Sequence, residues 1–200
     1  MDTTHPDTGQ PDRRPLRADA RRNLQRILDA AQDVFGAAGD NASTDEVARR
    51  AGVGIATVFR HFPTKQALLE AAFTARLERL RDHATALLAA PDPGTAFFDY
   101  FTHVVHDAPA KLSIAGALAD AGADVHAAVR DAHDGMQTAF GHLLQRAQNT
   151  GAVRDDIHLP EVYALLIGAS RAAAHARLDP ETTQRTLRIL FDGLRTHPTR

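Results

Sequence analysis

The chain has 200 residues, 44% hydrophobic and 24% charged, the balance of an ordinary globular protein of one large or two small domains. It has no cysteine, which excludes a disulfide framework, a thiolate nucleophile and a Cys-based zinc site, and is compatible with a reducing cytoplasm. The formal net charge of −2 hides an asymmetry: residues 13 to 65 carry 10 Lys/Arg against 6 Asp/Glu, and residues 66 to 200 carry 13 against 16. Phosphate binding depends on such local basic excess more than on whole-chain charge.

The opening stretch "MDTTHPDTGQPDRRPLR" is polar and proline-bearing, with no apolar core like that of a signal peptide, and residues 1–18 are expected to be a disordered tail. From Arg21 to about Gly39, the residues Leu24, Ile27, Leu28, Ala31, Val34 and Phe35 form one apolar stripe at helical period. Gly39 suits the C-terminal cap. In "STDE", Ser43 and Glu46 have the spacing of a capping box, which predicts a second helix through about Ala51. Gly52 makes the turn, a third helix runs from about Ile55 to Phe62, and Pro63 ends it. Thr64 is the expected N-cap of a long fourth helix reaching toward Ala89. After "PDPG" at 91–94, further helices are predicted over about 95–107, 110–121, 124–149, 160–177 and 180–195. Pro109, Gly122, "NTGAVRDDIHLP" and Pro180 punctuate them. No Val/Ile/Thr-rich alternating segment, internal repeat or membrane-length apolar run occurs. The expectation is an all-α protein of about nine helices.

The third helix poses the functional question, because isolated helices below about 12 residues are marginal in water. Two short helices joined by a glycine turn form a helix-turn-helix. Val47, Ala51, Val53, Val58 and Phe62 are placed to pack on the first helix's stripe, which would clamp the pair. The outer face then carries Gly54, Ile55, Ala56, Thr57, Arg60 and His61. Small residues at its start suit entry into a major groove about 12 Å wide, and amides at a helix N-terminus favour phosphate. Lys65 stands just beyond the break, placed to grip the backbone. The alternatives are a surface helix of an alanine-rich bundle, or a helical adaptor that uses the pair for a protein contact.

"STDEVARRAGVGIATVFRHFPTKQALLEA" closely resembles the DNA-binding domain of the TetR family of transcriptional regulators, over about residues 20 to 70. "RADARRN" before it and "GAVRDDI" at 151–157 resemble a subgroup of that family. The resemblance implies a DNA-binding domain over 19–65, and a ligand-sensing and dimerisation domain over 66–200. By the same resemblance Thr44 would touch a phosphate, Ile55 and Ala56 would face bases, and Thr57 would contact backbone or base. His61 and Lys65 would complete a phosphate clamp. Phe59 stands where the family usually has a tyrosine, and Gly54 where serine or threonine is frequent. Phe59 therefore offers only packing. Ile55 and Ala56 lack hydrogen-bonding side chains and would read mainly thymine methyls, which leaves Arg60 as the side chain for guanine. Arg21 and Arg22, with Arg13, Arg14 and Arg17 before them, are candidate arm contacts to phosphate or the minor groove.

One short helix reads few base pairs, and dimers solve this by presenting two recognition helices about 34 to 36 Å apart. On the family's pattern the last two helices form a homodimer interface on a palindromic operator. The candidates are Tyr163, Leu166, Ile167, Ser170 and Ala174, with Leu187, Leu190, Phe191 and Leu194; the alternative for these is monomer core. Five of the eleven aromatic residues lie between 97 and 140. Phe73, Leu77, Phe97, Tyr100, Phe101, His103, Met136 and Phe140 are accordingly either core or the lining of an effector pocket. By family analogy the protein would be a cytoplasmic repressor released by a small molecule. Asp99, His103 and His106 share one helical face, and His126 and His133 are seven apart. Without a Glu-x-x-His pair these spacings do not make a metal site the expectation, and no cofactor is expected. No P-loop, G-x-S-x-G, dinucleotide fingerprint or His-Glu-x-x-His occurs, so no enzyme activity is expected.

Overall fold

A computed structural model describes residues 13–175 and 179–196, with side chains from residue 19. Among these are eight α-helices: α1 Arg13–Ala38, α2 Thr44–Ala51, α3 Ile55–His61, α4 Lys65–Leu87, α5 Pro93–Asp120, α6 Val125–Asn149, α7 Leu159–His175 and α8 Pro180–Leu194. A 3-10 turn, Gly39–Asn41, joins α1 to α2, with Gly39 at φ +56°. No described helix is long and apolar enough to cross a membrane.

Side-chain caps set most of the helix starts. The Ser43, Thr64, Asp92, Asp124 and Asp179 side chains each accept the amide three residues on, which satisfies a donor the helix leaves unpaired. Glu46 does not complete the expected capping box. Its carboxylate accepts instead from the Arg49 guanidinium at 2.5–3.1 Å, one turn further along its own helix.

Two boundaries differ from the sequence expectation. Helix α1 begins at Arg13, so residues 13–18 are helical rather than part of a disordered tail; residues 1–12 lie outside the described part of the chain. Pro15 falls in the first turn, where its missing N–H is no loss. The predicted helices 95–107 and 110–121 are one continuous α5 with Pro109 inside it, which makes eight helices rather than nine. An internal proline costs about 3 kcal/mol. Around it Val104, Val105, Ala108 and Ile114 are all buried. Burial of one such branched side chain returns about 1.5–3 kcal/mol, so unbroken packing outweighs the missing hydrogen bond.

Helices α4, α5, α6 and α7 pack into the body, and α1 lies against both α4 and α5. At the centre, Phe97 stacks on Phe140 with ring centroids 5.5 Å apart, and Phe101 and Tyr100 close around them. Phe191 of α8 joins through Phe98 and Phe101.

Candidate nucleic-acid interface

The head is built from α1 to α3. Val47, Ala48, Ala51 and Val58 are buried against Ile27, Ala31 and Phe35, so a helix of seven residues is held by tertiary packing. Gly52 closes α2 at φ +65°, a conformation that penalises any residue with a Cβ, and its N–H bonds the Ala48 and Arg49 carbonyls. Gly54, the N-cap of α3, makes no side-chain cap, and no atom lies within 4 Å of where its Cβ would stand.

With Val58 turned inward, Ala56, Phe59, Arg60 and His61 are exposed on the opposite side, and Phe59 remains 45% exposed. Thr57 is half-buried. Ile55, placed on the outer face by the sequence reading, is half-buried and packs partly against the core. Thr44, the first residue of α2, is half-buried. Arg60 and Arg21 form no ion pair among the described residues, whereas Arg22 pairs with Asp19. Arg49 and Arg50 are held by Glu46 and Asp33. Lys65 is also engaged: its Nζ donates to the Asp40 backbone carbonyl at 2.8 Å and to Asp40 Oδ1 at 3.0 Å. Two of its three N–H donors are thus engaged, which leaves one for the phosphate that the sequence reading expected it to grip. No local pattern signals the pairing, because the partner lies on the turn after α1.

Residues 27–72 match the family described as "Bacterial regulatory proteins, tetR family", and residues 92–196 match "Transcriptional regulator SbtR-like, C-terminal domain". The fold is similar to that of the TetR transcription regulatory protein from Mycobacterium vanbaalenii, with 42% identity, 91% of this chain and all of that one covered, and a TM-score of 0.78. The chain belongs to the TetR family of transcriptional regulators. A second TetR regulator, SCO0520 from Streptomyces coelicolor, superposes with a TM-score of 0.75 at 33% identity, covering 87% of this chain and 99% of that one. The curated relative TtgW of Pseudomonas putida, an uncharacterised HTH-type regulator, is 39% identical over 82 residues, 40% of this chain and 58% of that protein.

In the body of this TetR-family chain, α4, α5, α6 and α7 surround a cavity of about 380 Å³. Of the residues proposed for a pocket, Phe73, Leu77 and Met136 line it. Phe97, Tyr100, Phe101 and Phe140 do not; they are the buried aromatic core described above. His103 also lies elsewhere, in a shallow cleft with Arg76, Arg79, His83 and Asp107, its ring edge-on to His83 at 4.5 Å. Burial, followed by His83, holds its pKa below the ordinary imidazole value. Among the described residues no three His, Asp or Glu side chains gather as a metal site requires.

Four residues that the sequence reading gave to a dimer interface, Tyr163, Leu166, Ile167 and Ser170, line the same cavity from α7. Leu187, Phe191 and Leu194 are buried within the protomer, and Leu190 is half-buried. An apolar stripe records that a face is covered, not what covers it. The large apolar side chains left outside on α7 and α8 are Leu165, Ile167 and Ile189, the last 75% exposed. Sequence reasoning missed Lys111, Arg130, Arg171 and Asp134 in the polar wall of the cavity, and weighed His126 and His133 there only as possible metal ligands. Burial pushes the Lys111 amine below its usual pKa. Tyr163 holds His133 through a 2.8 Å hydrogen bond between its hydroxyl and Nε2.

Proposed function

We propose that the protein is a homodimeric, operator-binding repressor whose DNA affinity falls when a small molecule occupies the cavity between α4, α5, α6 and α7. The observation that carries this reading is α3: a short helix anchored by fully buried Val58, with Ala56, Phe59, Arg60 and His61 facing solvent on its far side. Arg60 supplies the guanine contact and Ala56 an apolar one to thymine, while Phe59, lacking a hydroxyl, packs on sugar or a thymine methyl. Thr44, Thr57, His61 and Lys65 serve the phosphates, with Arg21 and Arg22 at the arm. Gly54 and Ile55 set the depth at which α3 enters the groove.

Two copies meet through the exposed apolar positions Leu165, Ile167 and Ile189 of α7 and α8, presenting two α3 helices to a palindromic site one DNA turn apart. An effector acts by binding one spacing of the heads better than the other, since a ligand indifferent to the two states shifts nothing. Such a role places the protein in the cytoplasm with the chromosome.

Fluorescence anisotropy against DNA fragments flanking the protein's own gene, at several salt concentrations, tests the reading. Tight binding of one fragment, poorly competed by random DNA and weakening steeply with salt as counterions are released, is the expected result. Absence of binding at low salt would remove the basis for an operator-binding role.

A further inference from the structure

The cavity has walls of two kinds. Phe73, Leu77, Val104, Met136 and Leu166 make most of it apolar, and its volume of about 380 Å³ is that of a small-molecule site. The polar remainder is unbalanced. Lys111, Arg130 and Arg171 bring three cations, and Asp134 is the single carboxylate.

None of the three cations has a hydrogen-bond or ion-pair partner among the described residues, but Arg130 and Arg171 are exposed to solvent whereas Lys111 is half-buried. Its amine makes no hydrogen bond or ion pair among the described residues, although Asp107 lies one turn back on α5. That carboxylate is spent on Arg76, which grips both its oxygens at 2.5 and 2.9 Å in a largely buried pair. Burial of the Lys111 amine disfavours its charged form, with Asp107 opposing and Arg76 reinforcing that effect. A second group in the wall is also unsatisfied. Ser170 is 5% exposed, and among the described residues its Oγ has no hydrogen-bond partner, not even the carbonyl one turn back in its own helix. A buried hydroxyl without a partner is destabilising, so both groups stand to gain from an acceptor supplied by a ligand.

We infer that the cavity takes a small apolar carboxylic acid, its carboxylate held at Lys111 with Ser170 as a further donor, and its aliphatic or aromatic body against the Phe73, Leu77 and Met136 wall. The identification rests on the reading of this cavity as the effector site, and adds the ligand's charge and polarity. A cationic ligand would meet three like charges. A small phosphate would meet the cations but leave the apolar wall uncovered, which a ligand with an apolar body fills.

Isothermal titration calorimetry of the full chain with decanoate and 1-naphthaleneacetate, against 1-decanol and 1-naphthaleneethanol, tests it. Each acid is expected to bind about tenfold or more tighter than its alcohol, the worth of one charge-assisted hydrogen bond. K111M removes most of that difference by weakening the acids more than the alcohols, while S170A weakens the acids severalfold. Equal binding of acid and alcohol by the unaltered protein overturns the inference without reference to any variant. So does an acid preference that survives K111M, or failure of all four probes to bind. Anisotropy with the flanking DNA separates this from the effector reading. Acid binding that leaves DNA affinity unchanged sinks the effector role and keeps the ligand class, whereas release of DNA by the alcohols alone keeps the effector role and sinks the ligand class.

Discussion

Lys65 is committed to Asp40 before any DNA arrives, through two acceptors at 2.8 and 3.0 Å. Exposed ion pairs are worth about 0–1 kcal/mol, so phosphate displaces this one at small cost. D40N is expected to tighten DNA binding by up to about fivefold at low salt, a gain that shrinks as salt rises; anisotropy across a salt series checks it, and unchanged affinity would mean Lys65 meets no phosphate. Tyr100 offers a different test. Its hydroxyl is buried without a partner among the described residues, and burial raises its pKa well above the ordinary phenol value. Y100F is expected to stabilise the fold by about 1 kcal/mol in urea denaturation, because it removes an orphaned polar atom and keeps the ring. Neither residue could be placed from the sequence. A cap such as Ser43 or Thr64 is legible because its partner lies three residues away. The partner of Lys65 is set by the turn after α1, and the isolation of Tyr100 by four packed helices.

Among the helices, periodicity and caps located the head almost residue by residue, since Val47, Val58 and the α1 stripe repeat at 3.6 and Gly52 marks the turn. They failed at Pro109, where a local breaker is overridden by the burial of its neighbours, and at the start of α1, where the sequence offers no apolar stripe to read. In α6 a further break was invisible: Val129 departs from helical backbone at φ −126° and ψ 15°, just where the first turn of the helix, with His126, borders the cavity. Likewise α7 was legible as a helix but not as a cavity wall. The loop "GAVRDDI" is fixed by contacts that sequence does not show. Gln148 Nε2 donates to the Arg154 and Ile157 carbonyls, and Arg154 N bonds the Leu194 carbonyl. This loop comes so close to α5 that a Cβ on Gly94 would stand 2.5 Å from the Ala152 Cβ. G94A is therefore expected to cost about 1–3 kcal/mol, through displacement of the loop from the helix, and a thermal melt would reveal it. No loss of melting temperature would mean the loop shifts freely.

Across the whole molecule, head and body share α4 and meet again where α1 crosses α5. Ser113 Oγ donates to the Phe35 carbonyl at 2.9 Å, and Arg79 of α4 reaches Asp29 and Gln32 of α1. Ser113 stands two residues beyond Lys111 on α5, so one helix touches both the cavity and the head. If ligand occupancy travels by this route, S113A is expected to shrink the ratio of DNA affinities measured without and with decanoate. Each partner's binding when alone should change far less. A ratio equal to that of the unaltered protein would exclude Ser113 from the route.

The crossing of α1 over α5 is tighter than side chains normally allow: a Cβ on Gly36 would lie 3.0 Å from that of Ala110, the residue after the internal proline. This decides where the molecule may be cut and recombined. A chimera that joins residues 1–65 to another regulator's sensor would sever α4 after its first residue and set Gly36 against a stranger's helix. A working transplant must carry the 106–114 segment of α5 along with the head, so the interchangeable part is a patch of two distant stretches rather than an N-terminal block.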